Sequence, residues 1–298
     1  MVVIAITGMT ALMPTMEAIK NKKKIGLVNK EIVVSAGEIL MNEARKNGVE
    51  IIPIDSEHSG LFQCIQPGLI EKIEKIIITA SGGPFYNLKD SALDSVSIEE
   101  ALNHPNWQMG KKITVDSATL MNKGLEIIEA KWFFGIPADK IEIIIHPQSY
   151  IHSMVQFIDG SILAQISEHD MKIPIQFSLF YPERVGNKYP IIDFTKIRQF
   201  TFKEPNYKKF PCLKLAYRAI EIGGTMPAVL NGANEIAVSA FLNNQIKITD
   251  IPYIIQNAMK NHKAKSSPNI AELLDADYWA RQEALTLCIK KINSVGKK

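Results

Sequence analysis

The chain has 298 residues, 46% of them hydrophobic and 22% charged, with a formal net charge of +3. That is the composition of a globular protein long enough for two domains; it is too mildly basic to argue for nucleic acid, and no apolar run reaches membrane-spanning length. Cys64, Cys212 and Cys288 form no Cys-x-x-Cys pair, which argues against structural zinc and fits a reducing, cytoplasmic compartment.

The opening "MVVIAITGMTALMPTMEAIK" lacks the basic region of a secretory signal and reads as a strand, a Gly8 turn and a helix. "NKKKIG" is a solvated helix end. Up to about residue 95, "VVIAIT", "KIGLV", "VEIIPI" and "KIIITAS" are β-rich, with helical spacing between the first three. This predicts βαβ units and a parallel sheet, with the chemistry beyond the strands' carboxyl ends. Residues 82–111 carry turn residues, one short helical piece and exposed-looking aromatics, and predict a lid. A helix is expected from near Ser117, then a strand at "IEIIIHP" and a hairpin turning at Asp159-Gly160. Residues 181–211 read as a connecting arm, and 212–298 as a helical bundle.

Candidate chemistry starts at "PIDSEH", where Asp55 and Glu57 leave an apolar strand two residues apart. On an extended chain both carboxylates point one way. Their repulsion is relieved by a divalent cation, and oxygen ligands favour magnesium or manganese. The plainer reading is an exposed acidic turn with Ser56 capping a helix. In the helix expected from Ser117, Met121, Leu125, Ile128 and Trp132 form one apolar stripe. Thr119, Lys123 and Glu126 lie opposite it, flanked by Asn122. Ser117, Asn122 and Lys123 would grip a phosphate near the helix start, with Glu126 as a third metal ligand. The plainer version is a capped surface helix with a Lys–Glu pair, against which mid-helix Gly124 counts mildly. "TASGGPF" places Ser81 before two glycines, "LVNKE" puts Asn29, Lys30 and Glu31 at a strand end, and His104 and Trp107 sit in the lid. His146 and His152 are spaced unlike a zinc motif.

In their order, "NKE", "DSEH", "SGGPF", "HPNWQMGKKITVDSATLMNKGLE", "IHPQSYIHSMVQFIDGS", "CLKLA" and "NGANEIAV" resemble the 1-deoxy-D-xylulose 5-phosphate reductoisomerase family over essentially the whole chain. The resemblance implies an NADPH- and metal-dependent enzyme (magnesium or manganese, with cobalt a further option) of the non-mevalonate isoprenoid pathway. It implies metal ligands Asp55, Glu57 and Glu126, and phosphate contacts from Ser81, His104, Ser117, Asn122 and Lys123. Ser56 and Lys30 match contacts to the substrate's hydroxyl and carbonyl oxygens; Asn29, Glu31, Gly110 and Met171 match cofactor-side positions. His152 and Trp107 match pocket residues. Lys30, Glu57 and Glu126 are the expected catalytic groups, and a homodimer through the hairpin sheet is implied.

The expected architecture is α/β. Residues 1–54 are the remnant of a Rossmann-like NADP-binding domain, and 55–180 an α+β catalytic domain with the lid at 82–111; the arm and the bundle follow. No G-x-G-x-x-G stretch occurs, so the family's opening, roughly the first hundred residues, is expected to be missing. A truncated or mis-started chain, one half of a split gene, or a decaying remnant would each explain that. The alternative to the enzyme is an inactive relative or a metal and sugar-phosphate binding module that needs a separate partner for the cofactor.

Overall fold

The structure, a computed structural model, describes residues 1–65 and 68–295. The chain opens with β1 (Val2–Ile4), α1 (Leu12–Lys20), β2 (Ile25–Leu27), α2 (Glu31–Asn47), β3 (Ile51–Pro53), α3 (Ser56–Cys64) and β4 (Ile73–Ala80). Then come α4 (Ile98–Leu102), α5 (Lys111–Ala118), α6 (Met121–Phe134), β5 (Ile141–Ile145), β6 (Ile151–Phe157), β7 (Ile162–Ile166) and α7 (Lys172–Phe180). The last four are α8 (Pro211–Ile222), α9 (Met226–Leu242), α10 (Asp250–Asn261) and α11 (Ile270–Val295).

Two compact units divide these elements. The first is Met1–Val33, Gly37–Ser81 and Glu129–Pro205; the second is Val34–Ala36, Gly82–Ile128 and the chain from Asn206 onward. The continuous helix α6 contributes to both.

In the first unit, β1, β2 and β3 form a parallel sheet in that order. Its central strand is wholly buried, whereas Val3 and Ile6 at the β1 edge are exposed. Val28, which follows β2, is exposed as well. The parallel run was expected to include the fourth strand. Instead β4 lies in a second, mixed sheet of order β5-β4-β6-β7, parallel to β5 and antiparallel to β6. The expected hairpin is β6–β7, turning at Gly160 with φ 85°. Residues 181–210 contain no helix or strand apart from one bridge, Lys203 to Ile145, as read for the arm.

In the second unit, α8 to α11 pack as amphipathic helices around buried α9, as the bundle reading requires. Two glycines permit close approach. A Cβ on Gly124 of α6 would lie 2.7 Å from the Ala216 Cβ of α8, and one on Gly232 of α9 would lie 3.0 Å from the Asp277 carbonyl of α11. Gly124 therefore has a packing reason, and its presence says nothing in itself about chemistry.

The single helix expected from near Ser117 is two helices. Thr119 ends α5, and Leu120 takes a left-handed φ of 58°, rare for a residue with a branched side chain. Its side chain, 1% exposed, is held by packing. Nor is α6 one-sided. Met121, Leu125 and Ile128 are buried as expected, but so are Lys123 and Glu126 opposite that stripe, which the plainer reading left on the surface, and so is Glu129. A helix buried all round with carboxylates inside has to satisfy them internally.

Candidate active site

Two loops leave the carboxyl ends of β2 and β3, and each delivers charge. Asp55 is the N-cap of α3: its Oδ1 accepts the Glu57 N–H at 3.2 Å, and Glu57 sits in the first turn. The placement of these carboxylates is thus helix-start geometry, in which anionic groups are favoured, and the extended alternation expected from sequence does not occur. Ser56 is not the cap; its Oγ donates to Glu57 Oε2 at 2.8 Å. From the β2 loop, Lys30 Nζ donates to Asp55 Oδ2 at 2.5 Å. Lys30 is itself buried, 8% exposed.

Two buried groups that the sequence reading did not single out complete this cluster. Glu129 of α6 brings Oε2 to 4.0 Å from Lys30 Nζ and 3.9 Å from His58 Nδ1, and His58 Nδ1 lies 3.4 Å from Asp55 Oδ1. The signals were present, in the histidine of "DSEH" and the second glutamate of "EIIE". A lone histidine or a helical glutamate is ordinarily structural or exposed, so neither stood out.

One turn before Glu129 on the same helix is Glu126, fully buried. Asn122 Nδ2 donates to its Oε1 at 2.5 Å and Lys123 Nζ to its Oε2 at 2.6 Å. Spacings of four and three residues put all three on one helical face. Because the chain breaks at Leu120, Asn122 and Lys123 stand in the first turn of α6, where helix N–H groups favour an anion. Ser117 lies instead in the last turn of α5. Gly83 brings its backbone close, since a Cβ there would lie 2.7 Å from the Ser117 carbonyl oxygen.

Ligand oxygens of Asp55, Glu57 and Glu126 all lie within 4.8 Å of one another. Three carboxylates this close repel, and Lys30 and Lys123 are held at their flanks, against Asp55 and Glu126. An all-oxygen donor set fits magnesium or manganese and lacks the nitrogen or sulfur that favours zinc.

The remaining candidates fall in several places. Ser81 follows β4 and precedes Gly82 and Gly83, both with positive φ. His104 Nδ1 accepts the backbone N–H groups of Asn106 and Trp107 at 3.2 and 3.0 Å, which leaves a ring proton on Nε2 as a donor. Asn29 is buried and ties the loop after β1: Nδ2 donates to the Ile6 and Gly8 carbonyls and Oδ1 accepts the Ile32 N–H. Glu31 starts α2, Gly110 precedes α5 and Met171 precedes α7. His152 is buried in β6. His146 is buried, and burial holds its imidazole below the ordinary value, the Thr201 carbonyl opposing.

Fold and site together define an α/β protein with a carboxylate centre for a hard dication beside lysine and amide groups suited to a phosphate. Comparison with known proteins narrows the class. The model described as "1-deoxy-D-xylulose 5-phosphate reductoisomerase" matches residues 1–37, its C-terminal domain model 51–134, and "DXP reductoisomerase C-terminal domain" 166–283. The chain is 55% identical over 271 residues to the 1-deoxy-D-xylulose 5-phosphate reductoisomerase of Acetivibrio thermocellus, covering 91% of this chain and 71% of that protein. It is 51% identical to that of Ruminiclostridium cellulolyticum, covering 97% and 76%. Among solved structures, the reductoisomerase from Zymomonas mobilis in complex with NADPH superposes with a TM-score of 0.91 at 43% identity, over 96% of this chain and 74% of that one. A reductoisomerase in complex with NADPH, fosmidomycin and magnesium gives 0.92 at 39%, over 96% and 75%. The chain belongs to the 1-deoxy-D-xylulose 5-phosphate reductoisomerase family, a family of oxidoreductases.

Proposed function

We propose that this chain rearranges and reduces 1-deoxy-D-xylulose 5-phosphate to 2-C-methyl-D-erythritol 4-phosphate, using NADPH and a divalent metal. The observation that carries the reading is the convergence of Asp55, Glu57 and Glu126, with the Asn122–Lys123 pair on the same helical face as Glu126. A dication held by the three carboxylates supplies Lewis-acid polarisation of the ketose carbonyl and a neighbouring hydroxyl, and NADPH supplies the hydride.

The chain's own groups bind and orient. Lys30 and Ser56, each already bonded to a carboxylate of the cluster, reach the substrate's carbonyl and hydroxyl oxygens. Lys123, Asn122, Ser117, Ser81 and the Nε2 proton of His104 hold the phosphate, which lies away from the reacting carbons and so spends its binding energy on position. Residues 82–111, with Trp107, act as the lid that excludes water. Asn29, Glu31, Gly110 and Met171 stand on the cofactor side, Asn29 through the two loops that it ties together. Residues 1–54 form the cofactor-side domain, 55–180 the catalytic domain, 181–211 the arm and 212–298 the bundle. The exposed Ile162, Leu163 and Ile166 of edge strand β7 support homodimerisation through the hairpin sheet, and three free buried cysteines fit the cytoplasm.

Purified protein given the sugar phosphate and NADPH is expected to oxidise NADPH only when magnesium or manganese is added. A second reading, a module that binds metal and sugar phosphate without turnover and needs a separate partner for the cofactor, is supported by the same carboxylates and the Asn122–Lys123 pair. Calorimetry separates the two: NADPH binding together with metal-dependent turnover supports the enzyme, and substrate binding without NADPH binding supports the module. Absence of both metal and substrate binding refutes each.

A further inference from the structure

One buried cation takes no part in the roles assigned above. The side chain of Lys209, at the end of the arm and two residues before α8, is 3% exposed. Its ammonium donates to the backbone carbonyls of Tyr86, at 3.2 Å, and Leu88, and lies 4.0 Å from the exposed carboxylate of Asp90. Burial draws its pKa below that of an ordinary lysine, with Asp90 opposing. All these groups belong to the second unit.

The carbonyls it holds belong to the root of the 82–111 segment. Just before them, Gly83 is pressed onto the backbone of Ser117 and Ala118. Just after them, a 3-10 turn at Asp90–Ser95 is tethered by Thr249 Oγ1, which donates to Asp94 at 2.6 Å. Leu93 of this turn is buried, but the packing around it is incomplete. A cavity of about 210 Å³, lined by Leu93, Ala118, Phe210, Ile248 and Pro252 among others, lies against it. Incomplete packing and a few polar tethers are the features of a segment that opens locally at low cost. Lys209 makes the most buried of those tethers.

We propose that Lys209 is a positioning residue that fixes the root of the 82–111 segment and, through Gly83, its seating on the Ser117 end of α5. Its effect on the substrate rests on the phosphate reading given above; its effect on the segment does not. Lysine reaches two carbonyls at once because its ammonium carries three donors on a flexible stem. Methionine fills a similar volume with no donor, and arginine restores donors.

The test compares wild type with Lys209→Met and Lys209→Arg. In ligand-free protein, tryptic cleavage after Lys89, Lys111 and Lys112 is expected to be about fivefold or more faster in K209M, while cleavage after Lys260 and Lys263 in the bundle keeps its rate. Calorimetry is expected to show about tenfold weaker binding of the sugar phosphate, with manganese affinity unchanged. K209R restores both. Wild-type cleavage rates in K209M overturn the tether, and equal acceleration at every site shows a merely structural lysine and overturns it too. Faster cleavage with unchanged substrate affinity overturns the coupling to the phosphate site. Failure of wild type itself to bind the sugar phosphate refutes the functional reading, while the cleavage pattern still decides the tether.

Discussion

At the scale of single residues, the site is a balance of buried charge. Glu126 has no solvent to stabilise its carboxylate, so it relies on Asn122, Lys123 and, on the proposed reading, a shared cation. Replacing it with glutamine keeps the shape and an acceptor but removes the charge. E126Q is expected to lower manganese affinity by about two orders of magnitude, at or beyond the range that second-sphere changes reach. Calorimetric titration of the folded variant measures it, and an unchanged affinity would mean that the three carboxylates do not share an ion. Glu129 is a separate case, because it faces Lys30 and His58 at about 4 Å and Lys30 is already committed to Asp55. Glu129→Gln removes one of the negative charges that face Lys30. It is expected to cost roughly 1–3 kcal/mol of stability, read from urea midpoints, with metal binding largely retained.

At the scale of elements, two local devices build the centre. One is the helix start at Asp55, which replaces strand alternation as the means of aiming two carboxylates. The other is the break at Leu120, which converts a long predicted helix into α5 and α6 and places Asn122 and Lys123 in a first turn. Gly124 then lets α6 approach α8. Gly124→Ala is expected to destabilise by about 1 kcal/mol: overpacking costs roughly 1–3 and the gain in helix propensity returns about 1. Adding Ala216→Gly is expected to recover most of the loss, since the clash is with the Ala216 methyl at 2.7 Å. Urea melts of the single and double variants check this, and additive effects would show that the two positions do not meet.

At the scale of the whole molecule, stability is bounded on both sides of neutral pH. Burial pushes the Cys212 thiol up to about 12 and those of Cys64 and Cys288 to about 11. The unfolded chain releases these protons near 8.5. The stability they contribute is therefore full below about pH 8.5 and declines as pH rises toward the folded values. On the acid side, burial lowers His146 and His262. Their contribution is full above about pH 6.5, the unfolded value, and is lost as pH falls through their depressed folded values. Urea midpoints are expected to be flat from about pH 7 to 8 and to fall on either side. In the same range a thiol reagent is expected to find none of the three cysteines in the native protein and all three after denaturation.

The linear chain was enough to locate β1 to β3, the β6–β7 hairpin, the structure-poor arm and the four bundle helices, because alternation, helical spacing and turn residues are local signals. Asp55, Glu57, Glu126, Lys30 and Lys123 were also legible as candidates, since their types and order belong to the chain itself, whereas Glu129 and His58 were not. Tertiary structure alone decided three things. The fourth strand joined a second sheet, because pairing partners lie far away in sequence. Leu120 adopted a left-handed turn, because burial of its side chain outweighs backbone preference. Glu129, Lys30 and His58 went inside, because their counter-charges arrive from other segments. Whether a charged residue is buried depends on who its neighbours are in space, and no window of sequence contains them.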